Sequence, residues 1–95
     1  MNGVLEKQLA LAVDRRLQVF AGQAASGALL GNDMELRAAA CLISDIVMPC
    51  CCMMCSIARL ESMLRQTSLC QGSPELAARL ARLVYDDLAR CNGLG

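Results

Sequence analysis

Between Met48 and Cys55 the chain reads MPCCCMMC, four thiols and three thioethers in eight residues. Thiolate and thioether ligands suit Cu(I), so Cys51, Cys52 and Cys55 form a candidate soft-metal set. The Cys52-x-x-Cys55 spacing also matches half of a structural zinc site. Zinc, however, needs four ligands, usually from two such pairs or with added histidines. This chain has no histidine, and Cys70 and Cys91 stand alone. A thiol redox centre would place its cysteines at a helix N-terminus, where the helix dipole lowers the thiol pKa. Pro49 at the first position of a helix would put Cys50 to Cys52 in that first turn. The strand that flanks such a centre in thioredoxin-type folds has no counterpart in the sequence pattern. Vicinal cysteines also invite S-palmitoylation.

Helical geometry then limits the cluster. Cys51 and Cys55 are i and i+4 and share a face, whereas Cys50 and Cys52 diverge. One helix therefore presents two ligands together, not four. The plainer role is packing, because Cys and Met are among the residues most often buried and Met adapts to irregular gaps. The expectation is no cofactor and no resident metal. Cys51, Cys52 and Cys55 carry the alternative reading of copper handling or thiol redox chemistry.

The rest of the composition excludes more than it assigns. With no His, the commonest general base near neutral pH is missing, and with it any Ser-His-Asp or Cys-His arrangement. The chain reads as a non-enzyme. Nine basic residues balance nine acidic ones, and no run of like charge exceeds the pairs Arg15-Arg16 and Asp86-Asp87. Phe20 and Tyr85 are the only aromatic residues, so a nucleic-acid binder's basic face and stacking aromatics are both missing. Seven cysteines cannot close into intramolecular disulfides without a remainder. The N-terminal stretch MNGVLEKQLALAVDRRLQ has early charges and no uninterrupted apolar region of the secretory kind. Free thiols in a reducing cytoplasm are expected.

Elements that would position these residues follow from periodicity. Over 95 residues there is room for one domain and one core. Leu5, Leu9, Val13, Leu17, Phe20 and Ala24 recur at helix spacing from Val4 to Leu30. Asn2 is a candidate cap, with a break near Gly27 and a turn over Gly31 to Asp33. Asn32 and Glu35 resemble a capping box opening a second helix, whose stripe is Leu36, Ala40, Ile43 and Val47, widened by Ala39, Leu42 and Ile46. Pro49 ends it at Met48 and can open a third helix bearing Met53, Ile57, Leu60 and Leu64. That helix pairs Glu61 with Arg65 and fades near Thr67. Ser73-Pro74-Glu75 starts a fourth helix burying Leu76, Leu80, Leu83, Val84 and Leu88. Expected pairs on its wet side are Glu75 with Arg79, Arg82 with Asp86, and Asp86 with Arg90, with Asn92-Gly93 closing it. The fold class is all-α, about four helices in antiparallel hairpins, either tetratricopeptide-like or a small bundle.

From Ala38 to Ala58 the only polar side chains are Ser44, Asp45 and Ser56, a length that could span a bilayer. Asp45 would cost roughly 2.5–3.5 kcal/mol near a membrane centre, and Pro49 sits in the middle. Two buried helices meeting at Pro49 account for the stretch better, and no stable membrane insertion is expected.

The apolar fraction of 56% excludes glycine, whereas an ordinary domain reaches about 45–50% with glycine counted. A small chain cannot hide all of that surface, and an exposed apolar patch marks a partner site. Methionine is over-used on surfaces that accept a partner helix. Met48, Met53, Met54, Ile57, Leu60 and Leu64 form the candidate partner-binding face, a helix-in-groove surface. Each is equally consistent with a core position.

Two stretches, DRRLQVF (Asp14 to Phe20) and ELRAAACLISDIVMP (Glu35 to Pro49), resemble the needle-subunit chaperones of bacterial type III secretion systems. The likeness is to the small tetratricopeptide-like member of the chaperone pair and covers about residues 14 to 60. It implies a cytoplasmic protein that holds an amphipathic helix of the needle subunit and prevents premature polymerisation. It also implies a second small chaperone packed on the first helices, giving a hetero-oligomer. A homo-oligomeric bundle that covers its own surplus apolar surface is a further reading.

Overall fold

The first expected helix is built in three pieces. A computed structural model describes residues 2–50, 54 and 56–91, with side chains described for 4–50, 54 and 56–90. Helix α1 spans Asn2–Arg16, a 3-10 turn covers Leu17–Phe20, and α2 spans Ala21–Ser26. Helix α1 starts at Asn2 itself rather than after it. The apolar stripe survives the change of helix type: Leu9, Val13, Leu17 and Phe20 are buried, and Leu5 and Ala24 are half-buried against the same core. Phe20, at φ −98° and ψ 0°, is where the tight turn hands over to α2.

Helix α2 stops at Gly27, which takes φ 81° and donates its N–H to the Ala24 carbonyl. The turn thus begins four residues before the expected Gly31. Ser26 contributes to it by donating its hydroxyl to Gln23 O at 3.2 Å and accepting from Ala28 N at 3.4 Å. Leu29, with no exposed surface, plugs the turn into the core. That burial, invisible in a helical period, is what pulls the turn forward. A pair of glycine substitutions has opposite expected signs here. Gly22, inside α2, would meet no neighbour with an added Cβ, so Gly22→Ala should stabilise by about 0.5–1 kcal/mol. Gly27 also has open space, but its left-handed backbone makes Gly27→Ala cost about 1–2 kcal/mol. Urea midpoints of the two variants should move in opposite directions.

Helix α3 spans Asp33–Val47 behind an extended Asn32, whose Oδ1 accepts from Glu35 N at 3.2 Å. Leu36, Ala39, Ala40, Ile43 and Val47 are buried as patterned, with Leu42 and Ile46 half-buried beside them. A 3-10 turn at Met48–Cys50 follows, as expected of a proline that cannot donate to the helix ladder. The third helix differs from expectation. Helix α4 spans Ile57–Arg65 and begins at Ser56, not Pro49. Ser56 is extended, and its Oγ accepts from Arg59 N at 3.5 Å. An extended residue with a capping hydroxyl interrupts any helix arriving from Pro49.

Thr67 ends the following turn by donating its hydroxyl to Leu64 O at 2.7 Å. Helix α5 spans Pro74–Cys91, capped by Ser73 Oγ accepting from Leu76 N at 3.3 Å. Its buried stripe is Leu76, Ala77, Leu80, Ala81, Val84 and Leu88, while Leu83 is half-buried. Asn92-Gly93, expected to close it, lies outside the described residues.

Packing is that of a closed bundle. Helix α5 lies against both α3 and α4, and α1 lies against the same two. Helices α1 and α5 are thus diagonal, and so are α3 and α4. In a tetratricopeptide-like stack, α3 and α4 would be extensively packed consecutive partners; here the small-bundle form of the all-α fold is realised. Its radius of gyration, 12.1 Å, matches the roughly 12 Å of a close-packed chain of this length. Polar contacts set the register. Glu6 Oε2 accepts from Ser62 Oγ and Gln66 Nε2, and Asp14 Oδ1 accepts from Ser68 Oγ at 2.6 Å. Arg79 donates to Leu30 O at 3.1 Å, tying the turn before α3 to α5. No strand occurs among the described residues, and no helix is long and apolar enough to cross a membrane.

Candidate functional site

Half of the face expected to form a groove faces the core. Met54, Leu60 and Leu64 are buried in the core, together with Met63. Met48 and Ile57 are half-buried and pack on that core. Met53 lies outside the described residues, as do Cys51, Cys52 and Cys55 of the soft-metal reading. The physical reason for that burial is α5, whose stripe of Leu and Ala covers the apolar side of α4. Among the described cysteines, Cys41 is exposed, Cys50 half-buried and Cys70 buried. No group of described His, Cys, Asp or Glu side chains could hold a metal ion.

An opening lies elsewhere, between α3 and α5. It has a volume of about 630 Å³ and is lined by Arg37, Ala40, Cys41, Leu83, Asp86, Asp87, Ala89 and Arg90. Arg37 and Cys41 are one turn apart on α3, and Asp86, Asp87 and Arg90 share the last turns of α5. Ala40, Leu83 and Ala89 make an apolar floor between charged edges.

One polar contact anchors the deep side of this groove. Ser44, 5% exposed, donates its hydroxyl to Ala40 O at 2.9 Å, with Asp87 Oδ2 3.3 Å away. Asp87 Oδ1 accepts from Arg90. The expected Asp86–Arg90 pair is therefore replaced by Asp87–Arg90, because Asp87 is the carboxylate turned toward α3. Arg79 is drawn to Leu30 O instead of Glu75, and Arg82 and Asp86 do not pair. The expected Glu61–Arg65 pair does form, at 2.7 Å. Every buried side-chain nitrogen and oxygen among the described residues has a hydrogen-bond partner, and the groove carries one free, exposed thiol, Cys41. Its lining offers two guanidinium groups, two carboxylates, the Cys41 thiol and three apolar side chains. Sequence reasoning passed over these residues because they read as the solvated sides of two helices. The i, i+4 placement of Arg37 and Cys41 was the only trace of a shared edge.

Among the described cysteines, Cys70 has a shifted ionisation. Burial pushes its pKa up; a hydrogen bond with the Thr67 side chain partly offsets this, and the nearby Asp14 charge adds to the rise. The sign follows from linkage. Above about pH 8.5 the unfolded chain releases this proton while the folded chain keeps it. The contribution of Cys70 is complete below that pH and is lost as pH rises through the raised folded value. Urea unfolding should therefore show stability falling as pH rises past the ordinary thiol range. Cys70→Ala should flatten that slope; an unchanged slope would show that other groups cause it.

The fold defines the class: a small all-α bundle, with an open groove between two of its helices. Comparison with protein-family models, curated proteins and solved structures finds no match to this chain.

Proposed function

We propose that the chain is a protein-binding module whose α3–α5 groove takes a helical segment of a partner. The carrying observation is the groove itself, about 630 Å³ between two helices with an apolar floor and charged edges. A helix laid in such a groove buries an apolar stripe on the floor and sets polar residues against the rims. Among the described residues Arg37 has no ion-pair partner, so it is available to a carboxylate on the incoming helix. The specific form of this reading comes from the resemblance to needle-subunit chaperones. In that form the partner is an amphipathic helix of the needle subunit, held in the cytoplasm before export, with a second small chaperone completing the assembly. The segment Glu35 to Pro49, which carries much of that resemblance, builds one wall of the groove.

The test is co-expression with each small reading frame that neighbours the gene, followed by affinity capture. Cys41→Trp fills the groove from an exposed position, and Arg37→Glu reverses its charge. Both variants should weaken capture by roughly tenfold or more while their unfolding midpoints stay at the wild-type value. Capture unaffected by either change would remove the groove from consideration.

A further inference from the structure

Helix α3 turns a row of apolar residues away from the core. Met34 is 83% exposed, more than any other large apolar side chain among the described residues. Ala38 and Cys41 are exposed further along the same helix. At about 3.6 residues per turn, Met34, Ala38, Cys41 and Asp45 fall within an arc of about 60°, opposite the buried stripe of Leu36, Ala39, Ile43 and Val47. All four are exposed, so none of them is committed to this chain's own packing. Helix α1 has no equivalent. Leu11, 62% exposed, has Lys7, Gln8, Asp14 and Arg15 as its i±3 and i±4 neighbours, so it stands singly, as surface apolar residues commonly do.

The charges on the outer face of α3 are placed symmetrically. Arg37 lies four residues before Cys41, and Asp45 lies four residues after it. Both are exposed, and among the described residues neither makes an ion pair. A helix whose cation and anion stand equally far from one point is complementary to an antiparallel copy of itself. The small side chains of Ala38 and Cys41 let a second helix come close at that point.

We propose that α3 pairs antiparallel with α3 of a second copy of this chain, about a two-fold axis at Cys41. The axis sets Cys41 against the second copy's Cys41. It brings Arg37 level with the second copy's Asp45, twice by symmetry. It also lays each Met34 over the half-buried Met48 at the end of the other α3, since these two residues lie seven positions either side of Cys41. Such a contact is isologous and self-complementary. A parallel arrangement would face Arg37 with Arg37 and Asp45 with Asp45, so charge complementarity selects both the occupant and its direction. A helix of 15 residues is only about 22 Å long, so the contact is at the small end of specific interfaces and the dimer is concentration-dependent. The face borders the α3–α5 groove and shares Arg37 and Cys41 with it, but Met34 and Asp45 lie outside the groove. The inference stands independently of the function proposed above.

Sedimentation equilibrium in reducing buffer tests it, with circular dichroism and urea unfolding to verify the fold of each variant. Wild type should move from the 10.1 kDa monomer toward twice that mass as concentration rises. Asp45→Arg should weaken the dimer by roughly tenfold or more, because arginines then meet at both ends of the contact. Arg37→Glu should do the same by setting carboxylate against carboxylate. Combining the two changes in one chain should restore association, because both charge pairs re-form with their signs exchanged. Met34→Glu should weaken the dimer without touching either pair. A wild type that stays monomeric at millimolar concentration overturns the proposal. It is equally overturned by dimers insensitive to all three single substitutions, or by a double variant that associates no better than Asp45→Arg alone.

Discussion

Leu80→Ala should lower the stability of the fold by about 3 kcal/mol, within the range of about 2–5 measured for buried leucines. Leu80 has no exposed surface and lies near the middle of α5, the helix that packs on both α3 and α4. Removing three of its carbons takes apolar contact from three helices at once and leaves a cavity that their backbones cannot close. A domain of this size holds only about 5–15 kcal/mol in total. The loss should therefore show as a fall in the thermal midpoint of more than about 12 °C, at roughly 4–8 °C per kcal/mol. Leu83→Ala is the internal control. It sits one turn on, half-buried at the floor of the α3–α5 groove, and should cost much less. Urea unfolding of both variants, at unchanged m-value, measures the difference. Equal losses would mean that α5 is rotated relative to the core described here.

Ala81→Leu should be destabilising in the opposite sense, by overfilling. Ala39, Ala40, Ala77 and Ala81 are all buried to within 1% of completely. They are the small residues that let α3 and α4 approach α5 closely. Three added carbons at Ala81 have no space to enter, so rotamers and backbone must shift at a cost of about 1–3 kcal/mol. Ala38→Leu, on the exposed side of α3, provides the comparison and should stay within about 0.5 kcal/mol of wild type. Leucine and alanine are both good helix formers, so any gap between the two variants reports packing alone. Should Ala81→Leu prove neutral, the close approach of the helices at that position would be wrong.

These two positions mark the boundary of what periodicity reveals. Leu80 was assigned to the core from its spacing with Leu76, Val84 and Leu88, and the structure buries it. Ala77 and Ala81 were not assigned, because alanine carries little hydrophobic signal and suits either face of a helix. The same blindness affects the site. Helix boundaries at Asn32, Pro49 and Ser73 were legible because capping and proline chemistry act within one turn of chain. Ser56 carries the same kind of cap, but the proline seven residues earlier drew the expected start of the helix toward itself.

The MPCCCMMC stretch shows the limit most clearly. Its composition suggested metal, redox or lipid chemistry, and its described residues are Met48 to Cys50 and Met54. Met54 is buried and Met48 and Cys50 are half-buried, all packed at the corner where α3 ends. Residue types alone determined the all-α class, the lack of histidine, most of the core stripe and two of the helix caps, Asn32 and Ser73. Each depends on local geometry or on counting. The tertiary structure alone decided that the bundle closes with α5 over α4, which buries Leu60 and Leu64 of the expected face. It also decided that the groove lies between α3 and α5, and that α1 keeps Leu11 on its outer side. Those outcomes depend on the rotation of each helix about its axis and on which helices become neighbours. Such quantities are set by the fit of whole surfaces to one another, and no single stretch of the chain encodes them.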